Sequence, residues 1–194
     1  MIAKQNPARI ILLFVFVFIV SGLRSVSFSA PESALLNTPA KPWQVSDWMN
    51  SPPIEFDDLR GKVIFVRWWT GPYCPYCRAS APAINQIYKD YHERGLEVIG
   101  FYHHKGFRPL DKEKVRSLKE HFHFEFPVAI DHEWRTLNNW WLNRSIQQWT
   151  SVTFLIDQKG IIRYIHPGGQ YEIGDDEYKK IRGKIEELLS GEQT

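Results

Sequence analysis

The chain has 194 residues, of which 43% are hydrophobic, 14% are aromatic and 24% are charged. This length suits one globular domain plus a tail and excludes two ordinary domains, and the aromatic content excludes a wholly disordered chain. The formal net charge is +2, and residues 1–30 hold basic residues but no acid. The rest of the chain is therefore nearly neutral and lacks the positive excess typical of nucleic-acid binding, so we expect no nucleic-acid partner.

The first 30 residues have the order of a targeting segment. A basic flank precedes an unbroken apolar run from Ile10 to Val20, and small residues follow it up to Ala30. This order is typical of a secretory signal, and the run is shorter than the roughly 20 residues that a spanning helix prefers. We predict a signal peptide or an uncleaved membrane anchor at 1–30, membrane contact only through residues 10–23, and an extracytoplasmic, periplasm-facing domain.

Composition divides the remainder into a linker at 31–42, rich in proline and small residues, and one domain at 43–194. Continuous apolar runs in the domain predict strands buried on both faces, and helical spacing after a capping residue predicts helices. The predicted strands are Trp43–Val45, Val63–Trp69, Leu96–Tyr102, Phe126–Ile130 and the hairpin Val152–Ile156 with Ile161–His166; the predicted helices are Cys74–His92, Asp111–Phe122, Glu133–Leu142 and Asp175–Leu189. This order predicts an α/β fold whose sheet has a parallel core and an antiparallel edge, flanked by helices.

The two cysteines of the chain, Cys74 and Cys77, stand three residues apart, between a predicted buried strand and a predicted helix. Two cysteines are too few for a disulfide scaffold. At a helix N-terminus, unpaired backbone N–H groups and the helix dipole stabilise a thiolate. We therefore predict that Cys74 is the attacking nucleophile and that Cys77 resolves a mixed disulfide. Such a redox-active disulfide needs no further cofactor.

Other uses of the cysteine pair remain open at this point. A static disulfide is one, and a zinc site is another, although the chain has no second cysteine pair and its histidine clusters are better explained as surface or core residues. A soft-metal site for Cu(I) would also use two thiolates. A thiol peroxidase would oxidise Cys74 with peroxide, but Gly71 stands where peroxiredoxins carry a threonine.

The segment Trp68-Trp69-Thr70, followed by Cys74-Pro75-Tyr76-Cys77, resembles the thioredoxin superfamily and specifically its TlpA-like thiol–disulfide oxidoreductases. The likeness continues through 96–100, 126–131 and 154–163. It implies a thioredoxin-like fold with the extra strand–helix insertion of TlpA-like proteins. It also implies an oxidoreductase that acts on protein thiols and disulfides and exchanges electrons with an upstream redox partner.

Two positions depart from the pattern of these proteins. Members usually have a cis-proline facing the cysteines, where this chain has Ser151, and many carry a glutamate three residues after the second cysteine, where this chain has Ser80. A cis peptide without proline costs about 2.5–4 kcal/mol. We therefore expect a trans bond at Ser151 and an altered substrate groove.

Several residues are predicted to surround the pair, either shielding the nucleophile or contacting substrate. They are Trp69, Tyr73, Pro75, Tyr76, Thr150, Ser151, Gly168 and Gly169. Core packing remains an alternative for Trp69, and a plain chain turn remains an alternative for the two glycines.

Arg67 is unusual because it stands in an apolar strand. We expect its side chain to reach the sheet edge and keep its charge in water; the alternative is a charge beneath the cysteines that favours the thiolate. The tryptophans that follow the predicted strand Phe126–Ile130 are predicted to be core residues: Trp134, Trp140, Trp141 and Trp149.

Overall fold

A six-stranded mixed sheet organises the computed structural model, which describes residues 34–144 and 149–191. The predicted signal or anchor at 1–30 lies outside these residues. Across the two described ranges, every helix falls short of the length and apolarity that a membrane crossing requires.

The sheet has a parallel centre and antiparallel flanks, as the sequence predicts. The strands are β1 (Ser46–Met49), β2 (Val63–Trp69), β3 (Leu96–Tyr102), β4 (Val128–Ile130), β5 (Thr153–Ile156) and β6 (Ile162–His166). Their order in the sheet is β1-β4-β3-β2-β5-β6. Strands β2, β3 and β4 run parallel, while β1, β5 and β6 join by antiparallel pairing.

Capping side chains begin two of the helices where the sequence predicts them. The Asp111 carboxylate accepts hydrogen bonds from the backbone N–H of Glu113 at 3.0 Å and of Lys114 at 3.2 Å. The Asp175 carboxylate accepts one from Tyr178 N–H at 2.7 Å. Each carboxylate satisfies donors that the first helical turn leaves unpaired. The α-helices are α1 (Pro75–Tyr91), α2 (Lys112–His121), α3 (Arg135–Leu137) and α4 (Asp176–Ser190).

Alternation along β2 gives the sheet two separate apolar layers. Phe65 and Trp69 pack in the layer shared with α1, α2 and α4. Val66 and Trp68 pack in the opposite layer, with the aromatic residues around α3. Because successive strand side chains point to opposite faces, one continuous apolar run supplies both layers.

The first strand begins later than predicted. Trp43–Val45 is not a strand; β1 starts at Ser46, whose partner in β4 is Ile130. Trp43 is instead a buried residue whose indole Nε1 donates to the carbonyl of Ile54 at 2.9 Å. Its apolar character therefore reflects packing rather than strand pairing.

The helix predicted at Glu133–Leu142 is broken into three pieces. A 3₁₀ turn at His132–Trp134 precedes α3, and a π turn at Asn138–Leu142 follows it. Glu133 and Trp134 have φ angles of 53° and 58°, which a continuous right-handed helix cannot include. The prediction of one helix is therefore wrong.

The described part of the predicted linker packs against the domain. Leu35 and Ala40 are buried. The backbone N–H of Asn37 donates to the carbonyl of Ile162 at 2.8 Å, and that of Ala40 donates to the carbonyl of Gly160 at 2.9 Å. These contacts place residues 35–40 beside the β5–β6 hairpin as part of its structure.

Candidate active site

The cysteine pair lies where β2 ends and α1 begins. Cys74 is the N-cap of α1, and its Sγ accepts a hydrogen bond from the backbone N–H of Cys77 at 3.2 Å. Pro75 occupies the first turn, where no backbone N–H is required. Cys74 and Cys77 are joined as a disulfide, with their Cα atoms 5.3 Å apart.

The two sulfurs differ in access to solvent. Cys77 is only 2% exposed and packs among the core residues under α1, whereas Cys74 is half-buried. A thiol or disulfide of another molecule can therefore reach Cys74 first. Access at Cys74 suits the attacking role that the sequence predicts for it, and burial of Cys77 suits the predicted resolving role.

A groove of about 890 Å³ opens beside Cys74. This volume is within the range of roughly 300–1,000 Å³ that is typical of ligand sites. Three chain segments and one helix form its walls: residues 70–76, residues 149–151, residues 104–109 and the α2 region with Asp111, Lys114 and Leu118.

The predicted neighbours of the pair divide into wall residues and core residues. The structure places five of them on the groove wall: Tyr73, Pro75, Tyr76, Thr150 and Ser151. Trp69 is 1% exposed and packs its ring 5.1 Å from Tyr102 and 5.2 Å from Phe124. It therefore supports the site from the core and does not line the groove.

The two predicted glycines lie behind the groove wall. Gly168 has a φ of 133°, and a Cβ there would lie 2.3 Å from the Cβ of Trp149. The backbone N–H of Gly169 donates to Ser151 Oγ at 3.1 Å. Only glycine allows this close approach, so the turn supports the wall without forming its surface.

Trp149 corrects a prediction. It is 48% exposed, lines the groove and packs its ring edge-on at 5.3 Å from Tyr76. It is therefore a wall residue rather than a core residue. Trp140 and Trp141, by contrast, are buried, as the sequence predicts.

The two departures from the family pattern have local structural roles. The described residues contain no cis peptide bond, so the bond at Ser151 is trans, as predicted. Ser80 is fully buried, and its Oγ accepts a hydrogen bond from the backbone N–H of Tyr171 at 3.1 Å. Ser80 thus ties α1 to the segment that follows β6.

Arg67 does not reach the sheet edge, so that prediction is wrong. The residue is 1% exposed, and its guanidinium donates to Thr153 Oγ1 at 3.0 Å and to the carbonyl of Gly169 at 2.8 Å. Its Nε has no partner within the described residues. The guanidinium lies 5.0 Å from the ring centre of Tyr171, and burial lowers the pKa of Arg67.

Two histidines are held neutral by burial. Burial lowers the pKa of His166 to about 4, with a further contribution from the positive charge of Arg67. Burial also lowers the pKa of His103 to about 3, with Lys105 adding to the effect. Both rings are therefore uncharged at neutral pH.

The segment 104–109 is the longest part of the site that sequence reasoning missed; Lys114 and Leu118 of α2 are further examples. The segment has no periodic pattern, but it directly follows β3. Trp69 of β2 and Tyr102 of β3 are partners in a parallel pair, and the carboxyl ends of parallel neighbours share one sheet edge. Its position beside the Cys74 turn could have been inferred from that rule.

Metal ligation beyond the two thiols finds no support in the described ranges 34–144 and 149–191. They contain no group of three or more histidine, cysteine or acidic side chains placed to hold an ion. A Cu(I) site here would depend on Cys74 and Cys77 without a third such residue from these ranges.

Comparison with known proteins identifies the family. Residues 36–165, more than half of the chain, match the AhpC/TSA family. The chain belongs to this family. ResA, a thiol–disulfide oxidoreductase of Bacillus cereus (strain ATCC 10987 / NRS 248), is 28% identical over 186 residues, covering 91% of this chain and 97% of ResA. DipZ of Mycobacterium tuberculosis is 26% identical over 149 residues, which are 75% of this chain and 20% of DipZ.

Solved structures confirm the thioredoxin-like fold. A thiol–disulfide isomerase from Corynebacterium glutamicum has a TM-score of 0.65 at 26% identity, with 81% of this chain and 99% of that chain covered. A putative thiol:disulfide interchange protein DsbE from Chlorobium tepidum has a TM-score of 0.64 at 19% identity, with 79% and 97% covered. The predicted resemblance to the thioredoxin superfamily is therefore confirmed.

Proposed function

We propose that the Cys74–Cys77 pair of this thiol–disulfide oxidoreductase exchanges electrons with cysteine pairs of other proteins. One observation carries the proposal: an accessible Cys74 caps a helix, is bonded to a buried Cys77 and lies beside an open groove. ResA proteins, which are named as thiol–disulfide oxidoreductases, match almost the whole chain and support the same activity.

Reduction of a substrate proceeds in two exchanges. The Cys74 thiolate attacks one sulfur of the substrate disulfide, which forms a mixed disulfide and releases the other substrate sulfur as a thiolate. Cys77 then loses its proton and attacks the Cys74 sulfur. The Cys74–Cys77 bond closes, and the substrate leaves with both sulfurs reduced, having gained two electrons.

Oxidation of a substrate dithiol is the same sequence run backward. An upstream redox partner resets the pair in either direction, by supplying a dithiol when the pair has been oxidised or a disulfide when it has been reduced. No cofactor is needed, because the cysteine pair carries the two electrons itself: the reduced dithiol holds them and gives them up when the Cys74–Cys77 bond closes.

The surroundings of the pair favour the thiolate that the first exchange needs. The N–H of Cys77 points at Cys74 Sγ, and the positive end of the α1 dipole lies at the same sulfur. The buried Arg67 adds a positive charge on the α1 side of the sheet. We infer that this charge, bonded to Gly169 and through it to the Ser151 wall, also stabilises the reduced, anionic state.

We also propose that the domain works outside the cytoplasm, delivered or tethered by residues 1–30. The basic flank and short apolar run of that segment support this location. An oxidising compartment is where a substrate disulfide persists long enough to need such an enzyme.

Trapping of the mixed disulfide tests the proposed chemistry. Because the chain has only two cysteines, Cys77→Ser leaves Cys74 as the single thiol. We expect Cys77→Ser to accumulate a covalent adduct with a disulfide-containing protein, released by excess dithiothreitol. Cys74→Ser is the matched control and should form almost no adduct, because the remaining thiol is buried.

The adducts are measured by non-reducing gel shift and mass spectrometry, and turnover is measured as disulfide reduction. Cys74→Ser should lose turnover by at least about a thousandfold, as expected when a covalent nucleophile is removed. Turnover retained by Cys74→Ser, or equal trapping by the two variants, would contradict the assignment.

A further inference from the structure

The groove wall formed by 104–109 and α2 is positively charged. Lys105, Arg108 and Lys114 line it, and Asp111 supplies the single carboxylate among the lining residues in the described chain. That carboxylate already accepts two backbone hydrogen bonds as the cap of α2. None of the three cations forms an ion pair with a described carboxylate within 4.0 Å, and all three are exposed.

This charge is local rather than general. The formal net charge of the chain is only +2, and many other surface cations are paired. On α2 itself, Lys112 forms an ion pair with Asp47 at 2.5 Å, whereas Lys114, two residues later, faces the groove unpaired. Three cations without an ion-pair partner among the described residues therefore line the groove through which a partner would approach Cys74.

Exposed aromatic side chains accompany the charge. Four large hydrophobic residues are exposed in the described chain: Tyr73, Phe107, Trp149 and Ile173. The first three line the groove. Tyr73 is 94% exposed and Phe107 is fully exposed, so they stand out of the surface and offer contact area beyond the groove. Aromatic residues and arginine are enriched at protein interfaces.

We propose that this groove binds an acidic, extended polypeptide segment that flanks the reacting cysteine of the substrate protein. The inference rests on the proposed function and names the substrate class for the same site. Substrate carboxylates would meet Lys105, Arg108 and Lys114, and apolar substrate side chains would pack on Tyr73 and Phe107. The segment would then hold its cysteine sulfur over Cys74.

A polypeptide fits these features better than a small anionic disulfide does. A small molecule would be enclosed by the groove and would leave the projecting rings of Tyr73 and Phe107 without a partner. A chain segment that passes over the rim would cover them. Rim cations that have no carboxylate partner act mainly on the encounter with a partner. We therefore expect them to accelerate association with an acidic substrate and to make that association strongly salt-dependent.

The test compares two cystine peptides of equal length, one with glutamates and one with lysines around the disulfide, both carrying one phenylalanine. Reduction is followed with the native full-length chain, with Lys105→Gln/Arg108→Gln/Lys114→Gln and with a matched control. The control, Lys89→Gln/Lys159→Gln/Lys179→Gln, removes three exposed cations that do not line the groove.

At low salt, kcat/KM of the native chain should be at least about tenfold higher for the acidic peptide than for the basic one. The groove variant should lose this preference, the control should keep it, and salt near 0.5 M should suppress it. For the acidic peptide, the groove substitutions should lower kcat/KM and leave kcat nearly constant. Equal kcat/KM for the two peptides with the native chain, or loss of the preference in the control, would overturn the inference.

A small uncharged disulfide separates failure of the inference from failure of the function. The native chain and the control should reduce it at similar rates, and the groove variant should also reduce it, which shows that the variants are folded. Reduction of this compound without a preference for the acidic peptide overturns the inference and leaves the proposed function standing. Reduction of none of the disulfides by the native chain overturns the proposed function, and the inference with it.

Oxidised glutathione serves as the small anionic probe. We expect the groove substitutions to lower its kcat/KM by less than threefold. A loss as large as that of the acidic peptide would assign the groove to small anions and would overturn the polypeptide assignment.

Discussion

Two buried charges lie on opposite faces of the sheet, and their surroundings differ. Asp131 follows β4 and Arg67 lies in β2, and each is 1% exposed. The Asp131 carboxylate accepts three hydrogen bonds, from Trp68 Nε1 at 2.8 Å, Thr136 N–H at 2.9 Å and Leu137 N–H at 2.8 Å. Arg67 makes two hydrogen bonds, and its Nε is unpartnered within the described residues.

We interpret this difference as one between a charge that stabilises the fold and a charge that serves the cysteine pair. A buried charge is costly unless hydrogen bonds or an opposite charge compensate it. Three hydrogen-bond donors offset the cost of burying the Asp131 carboxylate. Two of them are backbone N–H groups of α3, so the carboxylate also fixes the position of that helix. The partners of Arg67 among the described residues are Thr153, Gly169 and the ring of Tyr171, none of them a carboxylate. We infer that its charge acts on the face that carries Cys74. The expected consequences are separable by experiment.

Removal of Asp131 should have the largest effect on stability. Asp131→Ala leaves the indole N–H of Trp68 and two backbone N–H groups buried without an acceptor, at about 1–3 kcal/mol each. We expect the free energy of unfolding in urea to fall by at least about 3 kcal/mol. Under conditions where the variant remains folded, its redox midpoint should equal that of the native chain. A shifted midpoint would show that Asp131 also affects the cysteine pair, and would contradict a purely structural role for it.

Acid should lower the free energy of unfolding through two buried histidines, one near each of the two charges. The pKa of His103 is lowered to about 3 and that of His166 to about 4, whereas an unfolded histidine titrates near pH 6.5. Below about pH 6.5 the unfolded chain binds more protons, so stability is complete above that pH and is lost progressively toward pH 4. At pH 5 the loss is about 2 kcal/mol for each histidine.

Urea unfolding at pH 7 and pH 5 measures this loss. His103 lies 5.4 Å from Trp134, near the Asp131 face, and His166 lies 5.1 Å from Tyr171, near Arg67. His103→Phe and His166→Phe should each remove part of the pH dependence, and the double variant should remove more than either. An unchanged pH dependence in the double variant would show that other groups cause it.

Replacement of Arg67 should leave stability nearly unchanged and alter redox behaviour. An apolar side chain often replaces a buried charge at little cost, so Arg67→Met should change the free energy of unfolding by less than about 1–2 kcal/mol. Its midpoint should become more negative by roughly 15–30 mV, a change of up to tenfold in the exchange constant. Arg67→Lys keeps the charge, so its midpoint should lie close to that of the native chain. An unchanged midpoint would make Arg67 structural only.

Local sequence signals were enough for the central fold and for the cysteine turn. The apolar run of β2, buried along its whole length, and the caps Asp111 and Asp175 depend on nearby residues alone. The same is true of Cys74 at the start of α1. Such features can be predicted because the interactions that decide them lie within a few residues of one another.

The errors occurred where distant residues decide the structure. Strand β1 begins at Ser46 because it pairs with β4, and the helix after Trp134 begins where Asp131 supplies the acceptors. Arg67 is held inside by Thr153 and Gly169, which lie more than 80 residues away. A local pattern contains none of these partners. The groove wall at 104–109 is a further case, because only the sheet order brings it to the cysteines.

A redox titration of the native chain tests the central claim most directly. The chain is equilibrated in graded thiol/disulfide buffers, and the state of Cys74 and Cys77 is measured by alkylation and mass spectrometry. We expect one reversible two-electron transition in which both cysteines change state together. A pair that stays oxidised in every buffer would be a static disulfide, and a pair that stays reduced would point to metal binding; either result would contradict the account.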